Sequence, residues 1–144
     1  IKSAGLLNIP CRETIREFQE CKIACAASCN KIFELRKDIR QLIGDNNLAL
    51  ARDNNCNFAR FMESIFTDFE PTLLVETVLW VFESYRSHGF KTTYWAANLN
   101  IWIDVLEKNL SENSFKEIYP FYDWFIVNIP LFKLLTDHLV DHSS

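Results

Sequence analysis

The chain has 144 residues and a formal net charge of −4, with no basic tract or stripe, which argues against nucleic acid as a partner. It is 49% hydrophobic and 14% aromatic, with 12 Phe and 4 Trp, enough to bury a sizeable core in one domain spanning 1–144. Three glycines and four prolines leave few loops, and three glycines cannot build a phosphate loop or a dinucleotide fingerprint.

The first ten residues read as irregular, ending at Pro10. A helical pattern then runs from about Arg12 to Ile43. Read at 3,4 spacing, its seam is Cys11, Thr14, Phe18, Cys21, Cys25, Ser28, Ile32, Leu35, Ile39 and Leu42, as one long helix or two meeting near Ser28-Cys29-Asn30. Gly44 closes it, and Asp45-Asn46-Asn47 is turn chemistry. Leu48 to Arg52 reads as a short turn interrupted by Asp53-Asn54-Asn55. From Asn57 onward Phe58, Phe61, Met62, Ile65, Phe66 and Phe69 fall on one aromatic face. Pro71 suits the first turn of the next helix, and Gly89 suits the left-handed position after its last turn, with Phe90 folding back. Between them the apolar side chains cover most of the circumference, so this helix, with Trp80, is expected to be central and buried on most sides.

Thr92 or Thr93 can cap a fourth helix over about 93–109, whose apolar arc of Trp95, Leu99, Trp102, Ile103 and Leu106 contains Asn98. Ser111 or Ser114 can cap a fifth, and Ser114 with Glu117 has capping-box spacing. Phe115, Ile118, Tyr119, Tyr122, Phe125 and Ile126 form its face. Pro120 and Pro130 are expected to kink or divide it before Leu131, Leu134, Leu135 and Leu139. No segment alternates as a strand, so the fold class is all-α.

Chemistry is sparse. Cys21, Cys25 and Cys29 lie on successive turns, spanning about 12 Å of helix axis, too far apart to converge on one Zn²⁺. They read as small apolar seam residues. Five cysteines, an odd count, fit a reducing cytosol better than a disulfide framework. No secretory leader, transmembrane run or lipidation motif stands out, so a cytoplasmic protein is expected; Ile1 is not an initiator Met, so the chain can continue upstream. No nucleophile elbow or oxyanion turn accompanies His88, His138 or His142, so no catalytic residue, no metal site and no enzyme is expected. His88 is the one histidine near the core that could anchor haem, but a helix-terminal His facing the dipole is the plainer reading.

The segment Tyr85-Arg86-Ser87-His88-Gly89-Phe90, then Tyr94-Trp95, Leu99, Trp102, Leu106, Leu110-Ser111 and Ile118-Tyr119-Pro120-Phe121-Tyr122-Asp123-Trp124, resembles the haem-independent globin-like sensor domains of sporulation-control histidine kinases. Free-standing sporulation-inhibitory proteins copy such a domain, and similar domains precede stressosome co-antagonists. The likeness covers residues 71–125. It implies a globin-like helical domain without haem, a homodimer through the C-terminal helices (here Phe115 to Leu139), and a fatty acid and a halide ion such as chloride as bound ligands. It also implies interference with the signal of a sporulation histidine kinase.

Helix faces alone assign the site. The cavity wall is expected from Phe58, Phe61, Met62, Ile65, Trp80, Leu99 and Trp102. Arg86, His88, Tyr94 and Arg60 are the donors available for a head group or anion at its mouth. The other reading is a ligand-free dimeric helical adaptor in a stress or sporulation signalling complex.

Overall fold

The computed structural model describes residues 2–143, and the side chains of residues 3–137. A 3-10 turn, Lys2–Leu6, precedes six α-helices: α1 (Arg12–Glu34), α2 (Ile39–Ile43), α3 (Leu48–Thr67), α4 (Pro71–Ser87), α5 (Thr92–Asn109) and α6 (Glu112–Ser143). The described residues contain no strand and no helix long and apolar enough to cross a membrane.

α1 packs on α3 and α5, and α6 packs on α5, α4 and α1. The core is strongly aromatic. Phe66 contacts both Phe18 of α1 and Phe121 of α6 edge-on, each at a ring separation of 5.0 Å. Phe58 of α3 meets Trp102, Tyr122 and Phe125 in the same edge-to-face manner.

Several helix ends follow the sequence. Pro71 is the first residue of α4, and the Glu70 carboxylate accepts from the Thr72 N–H at 3.1 Å. Past its end Gly89 has φ +97°, the Gly89 N–H donates to the Arg86 carbonyl and the Phe90 N–H to the Tyr85 carbonyl. The Phe90 ring returns onto Tyr85 at 5.0 Å, completing a Schellman motif with its apolar contact.

Other expectations are corrected. α1 runs through Ser28-Cys29-Asn30 to Glu34 and α2 starts at Ile39, so the pattern is neither one helix to Ile43 nor two meeting at Ser28-Cys29-Asn30. Its buried residues are Thr14, Phe18, Cys25, Ala26, Cys29 and Phe33, whereas Ile32 and Leu35 of the 3,4 seam are exposed. A straight helix turns every 3.6 residues, so a strict 3.5-residue seam drifts off the buried face within a few turns. α3 runs unbroken from Leu48, and Asn54 and Asn55 are buried within it. α5 has Lys91 at its N-cap and no side-chain cap from Thr92 or Thr93. α6 is one helix: Pro120 and Pro130 lie inside it, both exposed, so the carbonyls they leave unpaired are on the solvent side. α4 is not central. It buries only Leu74 and Phe82 fully, and Trp80 is 67% exposed.

The N-termini of α1 and α6 cap each other. The Glu117 carboxylate of α6 accepts from the Cys11 N–H at 2.8 Å and from the Thr14 hydroxyl. The Glu17 carboxylate of α1 accepts from the Ser111 N–H at 2.9 Å, the Ser111 hydroxyl at 3.0 Å and the Ser114 hydroxyl. Each glutamate thus accepts from the N-cap N–H of the other helix, as the glutamate at the third helical position of a capping box does for its own. Ser111, at the N-cap, accepts from the Ser114 N–H at 3.3 Å, so the capping-box reading of Ser114 with Glu117 gives way to this exchange.

Candidate functional site: an uncharged cavity among α3, α4, α5 and α6

α4 packs on α6 and on the N-terminal 3-10 turn, meets α5 where Phe82 and Tyr85 contact Trp95, and leaves a gap toward α3. The gap is a cavity of about 450 Å³, within the range of small-molecule sites. α3 supplies Leu50, Asn54, Asn57, Phe58 and Phe61. α4 supplies Thr77, Val78, Trp80, Val81, Phe82, Ser84 and Tyr85. α5 adds Trp95, Asn98 and Leu99, and α6 adds Phe125, Ile129 and Phe132. None of these residues is Asp, Glu, Lys, Arg or His. Phe82 stacks on Trp95 at 5.5 Å and meets Phe132 edge-on at 5.9 Å, so one wall is a continuous aromatic surface.

Four of the seven residues expected on the wall line this cavity: Phe58, Phe61, Trp80 and Leu99. Met62, Ile65 and Trp102 do not. They are buried core residues, and Met62 and Trp102 have no exposed surface. Trp102 is turned to α3, where it meets Phe58 edge-on and donates to Asn55. Of the four head-group donors none lines the cavity. Arg86 is tied to α6: it donates to the Thr136 hydroxyl at 2.9 Å and the Lys133 carbonyl at 3.2 Å, and its guanidinium pairs with Asp137 at 2.8 Å. That pairing holds the Asp137 carboxyl below the usual carboxylate range. His88 is exposed, with Nδ1 2.8 Å from the Ser84 carbonyl oxygen of its own helix. Tyr94 is fully buried and accepts from Asn54 Nδ2 at 2.8 Å; burial raises its phenol. Arg60 is exposed on α3. His138, His142 and Leu139 lie outside the described side chains.

A buried amide ladder backs the cavity. Asn55 Nδ2 donates to Asn30 Oδ1 of α1 at 2.7 Å, and Asn55 Oδ1 accepts from Asn98 Nδ2 and Trp102 Nε1 of α5, each at 2.8 Å. Sequence reasoning missed this ladder. The one signal was Asn98 inside an apolar arc, because a polar residue buried among apolar ones needs a partner. Among the described residues, three buried side-chain polar atoms have no hydrogen-bond partner: Trp95 Nε1, Asn98 Oδ1 and Tyr122 Oη. Burial raises the Tyr122 phenol well above its ordinary value.

The cysteines are all free thiols. Cys25 and Cys29 are buried in the α1 seam, and their thiols are pushed up, Cys25 mainly by its hydrogen bond with Cys21 and Cys29 by burial. Among the described residues no three His, Cys, Asp or Glu side chains cluster as a metal site.

No family model, no curated protein and no solved structure matches this chain.

Proposed function

We propose that this chain is a non-enzymatic, globin-like sensor domain that binds one molecule with a fatty-acyl chain in the cavity among α3, α4, α5 and α6. The observation that carries the reading is the cavity itself: about 450 Å³, mostly aromatic and aliphatic, with no Asp, Glu, Lys, Arg or His on its lining. An unfilled apolar space of this size is costly to keep, since the lining side chains lack contact partners. Each methylene placed there contributes about 0.8 kcal/mol before the cost of association is subtracted. A chain of ten or so methylenes gains about 8 kcal/mol by this count, the free energy of a micromolar complex before that cost is subtracted.

By the resemblance, the bound fatty acid is a signal withheld from a sporulation histidine kinase, the domain acts as a homodimer in the cytoplasm, and a halide ion accompanies the lipid. Native mass spectrometry of freshly purified protein tests the core of this reading. A co-purified lipid, released on denaturation, supports it, and a homogeneous ligand-free mass that also fails to take up added lipid rejects it.

A second reading is favoured by a different observation. α6 leaves Val127 and Leu134 exposed at 67% and 66%, seven residues apart on one face. Such a stripe suits a dimeric helical adaptor, which needs no ligand.

A further inference from the structure

The two ends of the cavity differ. The link Asp68-Phe69-Glu70 sets the C-terminal end of α3 beside the start of α4, so Phe61, Thr77 and Val78 lie toward that end. Leu50, Asn54, Ser84 and Tyr85 lie toward the other. Four rings in successive contact stand there. Tyr85 meets Phe90 at 5.0 Å, Phe90 meets Tyr94 at 4.8 Å, and Trp95 lies 5.1 Å from Tyr94 and 5.5 Å from Tyr85.

Two groups at this second end are free to hold a ligand. Asn54 lines the cavity, is only 6% exposed, and donates from Nδ2 to the Tyr94 hydroxyl at 2.8 Å. Its Oδ1 makes no hydrogen bond among the described residues and, unlike Trp95 Nε1 and Asn98 Oδ1, is not sealed off by protein, so it opens onto the cavity. The hydroxyl of the half-buried Tyr85 is likewise unpaired among the described residues and open. Burial, and after it the Asp53 carboxylate, raise that phenol, so it keeps its proton at neutral pH. Asn54 Oδ1 can only accept, whereas the Tyr85 hydroxyl can donate. No cation is on the lining, and the ionised side chain whose charge reaches Tyr85 is the acidic Asp53. A carboxylate placed here would face an acceptor and a like charge with nothing to neutralise it, a costly state for a buried ion.

We infer that the ligand lies along α3 with its methyl end toward Phe61 and Val78 and its polar end at Asn54 and Tyr85, and that this polar end is a hydroxyl or a carboxamide. Such a group donates to Asn54 Oδ1 and accepts from the Tyr85 hydroxyl. The inference rests on the apolar-chain reading above and narrows it. The ligand is a fatty alcohol or a fatty amide rather than the free acid that the resemblance implies.

The test is calorimetric titration of the intact chain with decanol, decanamide and decanoate at about pH 8. Decanol and decanamide should each bind about tenfold tighter than decanoate, which is ionised at this pH and cannot donate. Tyr85→Phe removes only the unpaired hydroxyl, so the thermal melt should stay in place while decanol weakens about fivefold. The gain per methylene should not change in that variant. Val78→Phe, at the other end, should shorten the longest chain accepted and leave the ratio of decanol to decanoate affinity as it was. Decanoate binding as tightly as decanol or tighter, or decanol affinity untouched by Tyr85→Phe, overturns the inference while the apolar-chain reading stands. A decanol-to-decanoate ratio that Val78→Phe changes as much as Tyr85→Phe does overturns the orientation and with it the inference. If none of the three ligands binds, the apolar-chain reading falls as well. The comparison of ligands on the unmodified protein decides the matter even if a variant does not fold.

Discussion

Asn55 is the residue on which α1, α3 and α5 meet. Its amide donates to the half-buried Asn30 and accepts from the buried Asn98 and Trp102. Asn55→Leu removes the common acceptor and strands Asn98 Nδ2 and Trp102 Nε1, at about 1–3 kcal/mol each. Urea denaturation should show a loss of about 3 kcal/mol or more, a large part of the ~5–15 kcal/mol of a typical domain. Trp80 is the opposite case. Its apolar surroundings in the sequence suggest a core ring, yet it is two-thirds exposed at the cavity edge. Trp80→Ala should shift stability by no more than about 0.5–1 kcal/mol, read from the same denaturation curves. The misreading has a physical cause. An apolar circumference says that a helix can be buried on all sides, whereas the number of neighbours that arrive is set by topology, and α4 receives at close range only α6 and the N-terminal 3-10 turn.

At the scale of elements, helix ends and apolar periodicity were legible and polar interiors were not. Pro71, Gly89 and Phe90 act as the local rules require, because each rule involves residues within a few positions of one another. Asp53-Asn54-Asn55 looked like an interruption because asparagine usually serves turns. Inside α3 its amides are spent on Tyr94, Asn30, Asn98 and Trp102, partners remote in sequence that no local pattern reveals. The exchanged capping of α1 and α6 is equally non-local. Hydrogen bonds from Ser114 and Thr14 respectively lead in holding the Glu17 and Glu117 carboxyls below the ordinary glutamate range. A group whose folded pKa is depressed stabilises the fold above its unfolded pKa, and that contribution is lost as pH falls through the folded value. Stability should therefore decline below about pH 4.5. Glu34, Asp38 and Asp137, also depressed by their arginine partners, contribute to the same acid limb. The double variant Glu17→Gln with Glu117→Gln should be less stable at neutral pH by about 1 kcal/mol or more, and its stability should decline less steeply on acidification. Thermal melts across the pH range give both numbers, and parallel curves for variant and parent would remove the carboxylates from the account.

For the whole molecule, the all-helical class and one shared core were readable from composition and period, and the cavity was readable in part. Phe58, Phe61, Trp80 and Leu99 line it because they lie on faces turned toward the gap beside α4. Met62, Ile65 and Trp102 were indistinguishable from them in sequence, since one turn of helix separates a wall residue from a core residue. The cationic head-group site failed for a similar reason: Arg86 is near the right helix end, but Asp137 and Thr136, from the far end of the chain, claim it. Val127 and Leu134 are exposed on one face of α6, and the proposed homodimer would form through that face. Sedimentation equilibrium should give a dimer at micromolar concentration, and Val127→Glu with Leu134→Glu should give a folded monomer. A parent protein that is already monomeric would end the dimer.

The central claim is that the cavity holds an apolar chain, and it is tested most directly by tryptophan fluorescence titration with primary alcohols from octanol to hexadecanol, since Trp80 and Trp95 both line the site. At about 0.8 kcal/mol per methylene, affinity should rise about fourfold with each added carbon up to a cutoff. Val78→Phe, which adds bulk to the α4 wall, should move that cutoff to shorter chains. An affinity that does not depend on chain length, or a cutoff indifferent to Val78→Phe, would contradict the claim.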